Sequence, residues 1–83
     1  MTTFQYFKVT PAQVEAMTKE LTDGGAKVTT ESDNMYEITG HGITANATYD
    51  PKALTLTVNV VSKPWVVLAG SIDHWIKKAL GIG

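Results

Sequence analysis

The feature that most restricts the fold is a strict alternation of apolar and polar residues in two neighbouring stretches of the chain. In residues 43–49 and again in residues 54–60, every second residue is apolar and those between are threonine or asparagine. A period of two places the apolar side chains on one face of a β-strand. The segment Asp50-Pro51-Lys52 between the stretches is suited to a turn. The two stretches therefore predict an antiparallel hairpin with one buried face.

The preceding part of the chain predicts a second, shorter hairpin. Residues 26–30 and 35–39 have the composition of short strands, and the polar residues 31–34 between them suit a turn. Gly40-His41-Gly42 then interrupts the β pattern, as a tight turn or bulge requires where φ becomes positive. The aromatic and β-branched residues 4–9 fit either a short edge strand or an apolar arm on the core.

A first helix is predicted between residue 9 and the hairpins. Thr10 is a favourable N-cap, Gln13 three positions later completes a capping box, and Pro11 suits the first helical position. Gly24-Gly25 supplies a residue that can end the helix in the left-handed conformation. Its narrow apolar stripe consists of Val14, Met17 and Leu21.

A second helix is predicted from Pro64 to Gly81. Proline again suits the first turn, glycine suits the C-terminal cap, and Lys77 and Lys78 complement the negative end of the helix dipole. The residues that share its broad apolar face are Trp65, Leu68, Ala69, Ile72, Trp75, Ile76 and Ala79.

Together these elements predict one α+β domain over residues 1–83, in the order (β)αββββα. The predicted sheet is antiparallel and four-stranded, made of two hairpins, and is flanked in sequence by an N-terminal and a C-terminal helix that pack on its apolar face. A chain of 83 residues with 43% hydrophobic residues has enough apolar material for one core and is too short for a second domain.

Composition argues against several classes of function. The formal net charge is −1 and the chain has no arginine, the side chain best suited to gripping phosphates and guanine edges, so nucleic-acid binding is not expected. Cysteine is also absent, which rules out disulfides, thiol nucleophiles and cysteine-ligated metals.

The sequence also bears on location. Its first residues have neither the basic nor the apolar region of a secretion signal. The longest apolar stretch, residues 65–72, is far shorter than the roughly 20 residues of a membrane-spanning helix. A cytoplasmic protein without a transmembrane segment is therefore expected.

No pattern of residues indicates catalysis or a bound cofactor. His41 lies between two glycines on a predicted turn, where it could bind a metal or move a proton, but the other histidine, His74, lies on the last helix beside Asp73. Two histidines so placed do not predict a metal site. No nucleophile, base and orienting residue occur at a motif spacing, so the expectation is a protein that is not an enzyme and has no cofactor.

The C-terminal helix is the better candidate for a functional surface. Trp65, Val66 and Val67 precede Leu68 directly, so four large apolar side chains fall within one turn and a single buried face cannot cover them all. Trp75 adds a further amphipathic ring. We therefore predict an interaction site at Trp65, Val66, Val67 and Trp75, used for a homodimer, a partner protein or a hydrophobic surface. In the competing interpretation both tryptophans are core and the valines touch the N-terminal segment.

Two other functions remain open from the residues. One is a small apolar ligand held between sheet and helices by Tyr36, Tyr49 or Trp75. The other is an enzyme that uses His41, which requires a polar cleft around that turn.

The order of motifs over residues 10–81 resembles the small polyhydroxyalkanoic acid system (granule-region) family of bacteria. The resemblance rests on the helix after Pro11, the segment Gly40-His41-Gly42-Ile43-Thr44-Ala45, the long alternating strand, and the helix after Pro64. The family segment commonly has a third glycine where this chain has Ala45. The resemblance implies a bacterial, cytoplasmic, non-enzymatic protein associated with storage granules.

Overall fold

The protein is described by a computed structural model that covers residues 2–64 and 68–82. Its elements, in chain order, are β1 (Thr2–Tyr6), α1 (Pro11–Asp23), β2 (Lys27–Ser32), β3 (Met35–Gly40), β4 (Ile43–Asp50), β5 (Thr55–Ser62) and α2 (Ala69–Leu80). The predicted α+β class and the order βαββββα are confirmed.

The antiparallel sheet has five strands, in the order β1-β5-β4-β3-β2, so the prediction of four strands is wrong. β1 pairs with β5 from Thr2 opposite Val60 to Tyr6 opposite Leu56. In β1 the more buried Phe4 and Tyr6 alternate with the exposed Thr3 and Gln5. β1 therefore has the same alternation of inward and outward side chains as β5. Of the two expectations for this segment, the edge strand is correct.

One face of the sheet is buried, and both helices cover it. The register aligns Tyr6, Leu56 and Tyr49 in one row across β1, β5 and β4, and Val58 and Ala47 in the next. The helices contribute to the same hydrophobic cluster through Val14, Met17, Leu21, Ile72, Ile76, Ala79 and Leu80. Leu56, Val58 and Val60 of β5, predicted to pack on the last helix, belong to this one buried cluster together with the α2 residues.

Leu54 departs from the predicted alternation. It lies in the turn before β5 with φ of 53° and is only partly buried. Its carbonyl oxygen accepts a hydrogen bond of 2.8 Å from the Val9 amide. This contact fixes the approach of the chain to α1, which the local pattern of β5 does not specify.

The first helix begins where the sequence predicts. The Gln13 amide donates to Thr10 Oγ1 at 3.2 Å, and the Thr10 amide donates to Gln13 Oε1 at 2.9 Å, so the capping box is complete. At the other end Gly25 takes the positive φ of 98°. The boundaries of α1 are thus set by residues next to them in sequence.

The second helix begins later than predicted, at Ala69 instead of Pro64. Leu68 is extended, with φ of −81° and ψ of 144°, and no side chain caps the helix. Pro64 packs against the β3–β4 turn, because a β-carbon added at Gly42 would lie 3.0 Å from Pro64 Cγ. Pro64, which was predicted to begin the helix, therefore makes a tertiary contact instead. Gly81 ends α2 with φ of 80°, as predicted.

The two glycines of Gly40-His41-Gly42 have different roles. A β-carbon at Gly40 would lie 2.8 Å from both Cα and Cβ of Ala26, so this position needs glycine for close packing. His41 and Gly42 have φ of 56° and 77°, which makes them the central residues of a tight hairpin turn. The predicted turn is confirmed, and it joins β3 to β4.

Candidate functional site

A shallow apolar pocket of about 270 Å³ lies between the β3–β4 turn and α2. Its lining residues are His41, Ile43, Ser71, Ile72 and Trp75. Ile43 and Ile72 are buried and form its floor, because the first belongs to the inward row of β4 and the second to the inward face of α2. The pocket therefore forms only where α2 packs against the start of β4.

The rims of this pocket are His41 and Trp75. Their ring centroids are 5.7 Å apart and the ring planes meet at 81°, an edge-to-face contact. Trp75 is partly buried against the core, whereas His41 is exposed. The left-handed backbone at His41 aims its ring across the turn at α2, so the two rings define the mouth of the pocket.

Leu68 directly precedes α2 and is exposed over 72% of its surface, the highest value among the large hydrophobic residues described. Its carbonyl oxygen accepts from the Ser71 amide at 3.0 Å, which fixes the backbone of Leu68 against the first turn of α2. Leu68 and the five lining residues are together called the α2 patch. The patch contains no lysine, aspartate or glutamate, and its most exposed residue, Leu68, is apolar.

Another face of α2 is occupied by a polar contact to β1. The Tyr6 hydroxyl donates to Asp73 Oδ1 at 2.7 Å, and Lys77 Nζ lies 3.2 Å from Asp73 Oδ2. The hydrogen bond from Tyr6, helped by Lys77, holds the pKa of Asp73 below its usual value. Burial, followed by the bond to Asp73, raises the pKa of Tyr6 far above its usual value. The contact fastens the edge strand to the helix.

The structure brings together only part of the predicted interaction site. Trp75 belongs to the α2 patch, whereas Trp65, Val66 and Val67 lie outside the described residues. Leu68 was placed on the packed face of a helix because it falls four residues before Ile72, and that placement is wrong because α2 begins after it.

The histidines do not form a metal site in the described part of the chain. His41 contacts an aromatic ring, His74 is exposed on α2, and no group of three potential metal ligands occurs among residues 2–64 and 68–82. Within the same residues, no helix is long and apolar enough to cross a membrane.

A second, larger groove of about 480 Å³ lies toward the other end of β4, between α1, the β2–β3 turn and residues Tyr49 and Pro51. Tyr36 and Tyr49, two of the three residues predicted to hold a small apolar ligand, both line this groove. The third, Trp75, lines the other pocket. The Tyr49 hydroxyl is already used, because it donates to the Val9 carbonyl oxygen at 2.6 Å. Exposed Glu15 and Lys19 stand at the rim, one turn apart on α1.

Comparison of the chain with protein-family models, with curated proteins and with solved structures gives no match. The resemblance to the granule-region family therefore stays a prediction, and the geometry of the chain itself carries the functional proposal.

Proposed function

We propose that this chain is a non-enzymatic interaction module that pairs with a second copy of itself through the α2 patch. The observation that carries the proposal is that the most exposed large apolar residue described, Leu68, is hydrogen-bonded through its carbonyl oxygen to the amides of two residues that line an apolar pocket, Ser71 and Ile72. In a two-fold dimer the same surface of each copy faces the other, so each surface must complement itself. Leu68 of each copy would enter the pocket of the other.

The energetics favour a weak, concentration-dependent dimer. Burying a leucine side chain stabilises by about 1.5–3 kcal/mol, and two-fold symmetry counts that term twice. The loss of translational and rotational freedom offsets much of it. The patch contains no lysine, aspartate or glutamate, and the net charge of the chain is −1, so electrostatic repulsion between copies is small.

The non-enzymatic part of the proposal is supported by the surroundings of His41. Its ring contact is Trp75, and an indole ring neither orients an imidazole as a base nor accepts its proton. The lining of the pocket is almost wholly apolar, which suits a buried side chain better than a polar reaction.

The setting proposed from the family resemblance is the bacterial cytoplasm near storage granules. An uncharged patch with a tryptophan at its rim suits contact with oily material as well as with a second copy. Self-pairing is the primary role proposed here, and granule association would follow from it if paired chains coat an apolar surface.

The test is the weight-average mass by sedimentation equilibrium over a range of concentrations. Leu68→Glu should lower the mass at every concentration, because a charge on the projecting side chain opposes burial in the pocket. Met35→Glu is the matched control: Met35 is also an exposed apolar residue, on β3 away from the patch, and its change should leave the mass unchanged. Equal curves for wild type and Leu68→Glu would overturn the proposal.

A further variant tests Val66 and Val67, which were predicted from the sequence to belong to the interaction site. Val66→Ser combined with Val67→Ser should keep the fold and also weaken association if these residues extend the patch. Unfolding of this variant would show instead that they belong to the core.

The groove at Tyr36 and Tyr49 favours a second candidate function, the binding of a small apolar ligand. Its volume of about 480 Å³ lies within the range typical of small-molecule sites. Titration with 1-octanol should shift the amide NMR signals of Val14 and Tyr36 and leave those of Ile72 unchanged. Signals that move equally at both places would indicate nonspecific partitioning and remove this candidate.

A further inference from the structure

The sheet ends in two edge strands, and they are protected very differently. β2 carries Lys27 and Glu31, and its register with β3 shifts between Thr30 and Ser32. Charged side chains and bulges are features that keep an edge from pairing with a further strand. β2 is therefore a protected edge.

β1 has none of these features. Its sequence, Thr-Thr-Phe-Gln-Tyr, contains no charge, no proline and no glycine, and its register with β5 is regular over all five positions. β1 is the outermost strand on its side, and β5 is its partner strand among the described elements. The outward N–H and C=O groups of such a strand need another partner, which is either water or a strand.

We propose that β1 pairs in antiparallel orientation with β1 of a second copy and joins two five-stranded sheets into one continuous sheet. The two-fold axis passes through Phe4, which sets Phe4 opposite Phe4 and Thr3 opposite the partner's Gln5. This register keeps all five residues of each strand paired. A shift by one residue would place inward side chains opposite outward ones and is disfavoured.

The side chains on both faces fit this register. On the open face the Thr3 hydroxyl donates to Asn59 Oδ1 at 3.2 Å, and Gln5 Nε2 donates to Thr57 Oγ1 at 3.5 Å. Setting Thr3 opposite Gln5 continues these two rows of hydroxyl and amide groups into the second copy.

On the inward face the two Phe4 rings meet at the axis. Phe4 is partly buried, with its ring centroid 6.5 Å from that of Tyr6. Cross-strand aromatic pairs stabilise antiparallel sheets, and in this register no like charges face each other. A second copy is favoured over a foreign strand because these five residues complement themselves on both faces.

This interface is separate from the α2 patch and does not rest on the proposed function. A chain with two such two-fold interfaces forms assemblies larger than a dimer, either a closed tetramer or an open row. The test therefore uses Leu68→Glu as its background, where the patch is impaired and association reports on the β1 edge.

Two variants that differ at one position test the register. In Thr3→Lys with Gln5→Lys, like charges face each other across the axis, and dimerisation should weaken by about tenfold or more. In Thr3→Lys with Gln5→Glu, opposite charges face each other and dimerisation should return. Both positions are exposed on the open face, so the fold should be the same in both variants, as circular dichroism would verify.

The outcomes separate the two interfaces. A Leu68→Glu chain that dimerises, loses dimers with the lysine pair and regains them with the lysine–glutamate pair supports edge pairing. A Leu68→Glu chain that stays monomeric at roughly 1 mM, or charge variants that behave alike, overturns it. If Leu68→Glu leaves the mass of the otherwise wild-type chain unchanged, the α2 patch is overturned and the β1 edge proposal is not affected.

Discussion

α1 and α2 cover the same face of one sheet, but they are held by different kinds of contact. α1 is fixed locally, by the reciprocal hydrogen bonds of Thr10 and Gln13 at its start. α2 has no side-chain cap at Leu68, and its polar contacts with other elements are long-range. Tyr6 donates to Asp73, and Gln13 Nε2 donates to the Leu80 carbonyl oxygen at 3.4 Å, each across 67 residues of sequence. Neighbouring residues therefore specify one helix, whereas the completed sheet specifies the position of the other.

This difference has a consequence for function. A helix that begins without a cap leaves its preceding residue extended, and in α2 that residue is the exposed Leu68. The locally specified helix leaves no comparable apolar residue at its start, where Thr10 is used as the cap. The proposed pairing surface thus lies at the end of the less locally specified helix.

The largest expected effect tests whether the two helices share one core. Leu21→Ala in α1 and Ile76→Ala in α2 each remove a side chain that is almost fully buried, and each should destabilise the fold by about 2–5 kcal/mol in urea unfolding. Equal losses with single cooperative transitions would show that both helices belong to one unit. A much smaller loss for Ile76→Ala would mean that α2 adds little to the core.

The next largest effect is expected from the long-range hydrogen bond between Tyr6 and Asp73. Tyr6→Phe removes the donor to Asp73 and keeps the ring, and it should cost about 1–2 kcal/mol, since the acceptor is charged but remains partly exposed. Amide hydrogen exchange should rise in α2 more than in α1. The same protection loss in both helices would show that the bond does not act on α2 in particular.

The same contact predicts a pH dependence. The pKa of Asp73 is lower in the folded chain than in the unfolded chain, so its contribution is present above the usual aspartate value of about 3.9 and is lost as pH falls through the folded pKa. The pKa of Tyr6 is raised, so its contribution is present below about pH 10 and is lost as pH rises further. The stability advantage of the wild type over Tyr6→Phe should therefore shrink as pH falls below about 3.9 and also as pH rises above about 10, and a constant difference would contradict this explanation.

A smaller effect is expected from the local cap of α1. Thr10→Ala removes the hydroxyl that accepts from the Gln13 amide and should destabilise by about 1 kcal/mol. Thr10→Ser keeps the acceptor and serves as the control, with nearly wild-type stability. If both changes cost the same, the methyl group of threonine and not the cap would be responsible.

The smallest effect reverses the comparison by giving α2 the cap that it lacks. Leu68 already has the extended backbone of an N-cap residue, so Leu68→Ser should stabilise the monomer by about 0.5 kcal/mol relative to Leu68→Ala. Thermal unfolding in dilute solution would measure this. A serine no better than alanine would mean that the first turn of α2 is set by other contacts.

Much of the fold was accessible from local patterns. The alternation in residues 43–49 and 54–60 predicts β4 and β5, apart from Leu54 in the turn, because inward and outward positions follow directly from the period of a strand. The capping box predicts the first residue of α1 because its partners are three residues apart. The turn at His41 and Gly42 was equally visible, since positive φ favours glycine.

The two wrong predictions, the number of strands and the start of α2, and the candidate site all depend on contacts between residues far apart in sequence. The five residues of β1 are too few for an unambiguous pattern, and they become a strand by pairing with β5, whose residues lie 50 to 58 positions later. Pro64 reads as a helix start but packs on Gly42, so α2 begins at Ala69 and Leu68 is exposed. Trp75 was identified because a large ring stands out in any pattern, although its contact with His41 was not foreseen.

The sequence by itself determined the class of fold, the inward face of each long strand and the start of α1, because each depends on residues a few positions apart. The tertiary structure decided that the sheet has a fifth strand, where α2 begins, and that an exposed leucine directly precedes the helix that lines a pocket. Each of these follows from contacts between distant parts of the chain, and such contacts depend on how the sheet and helices come together rather than on the period of any one segment.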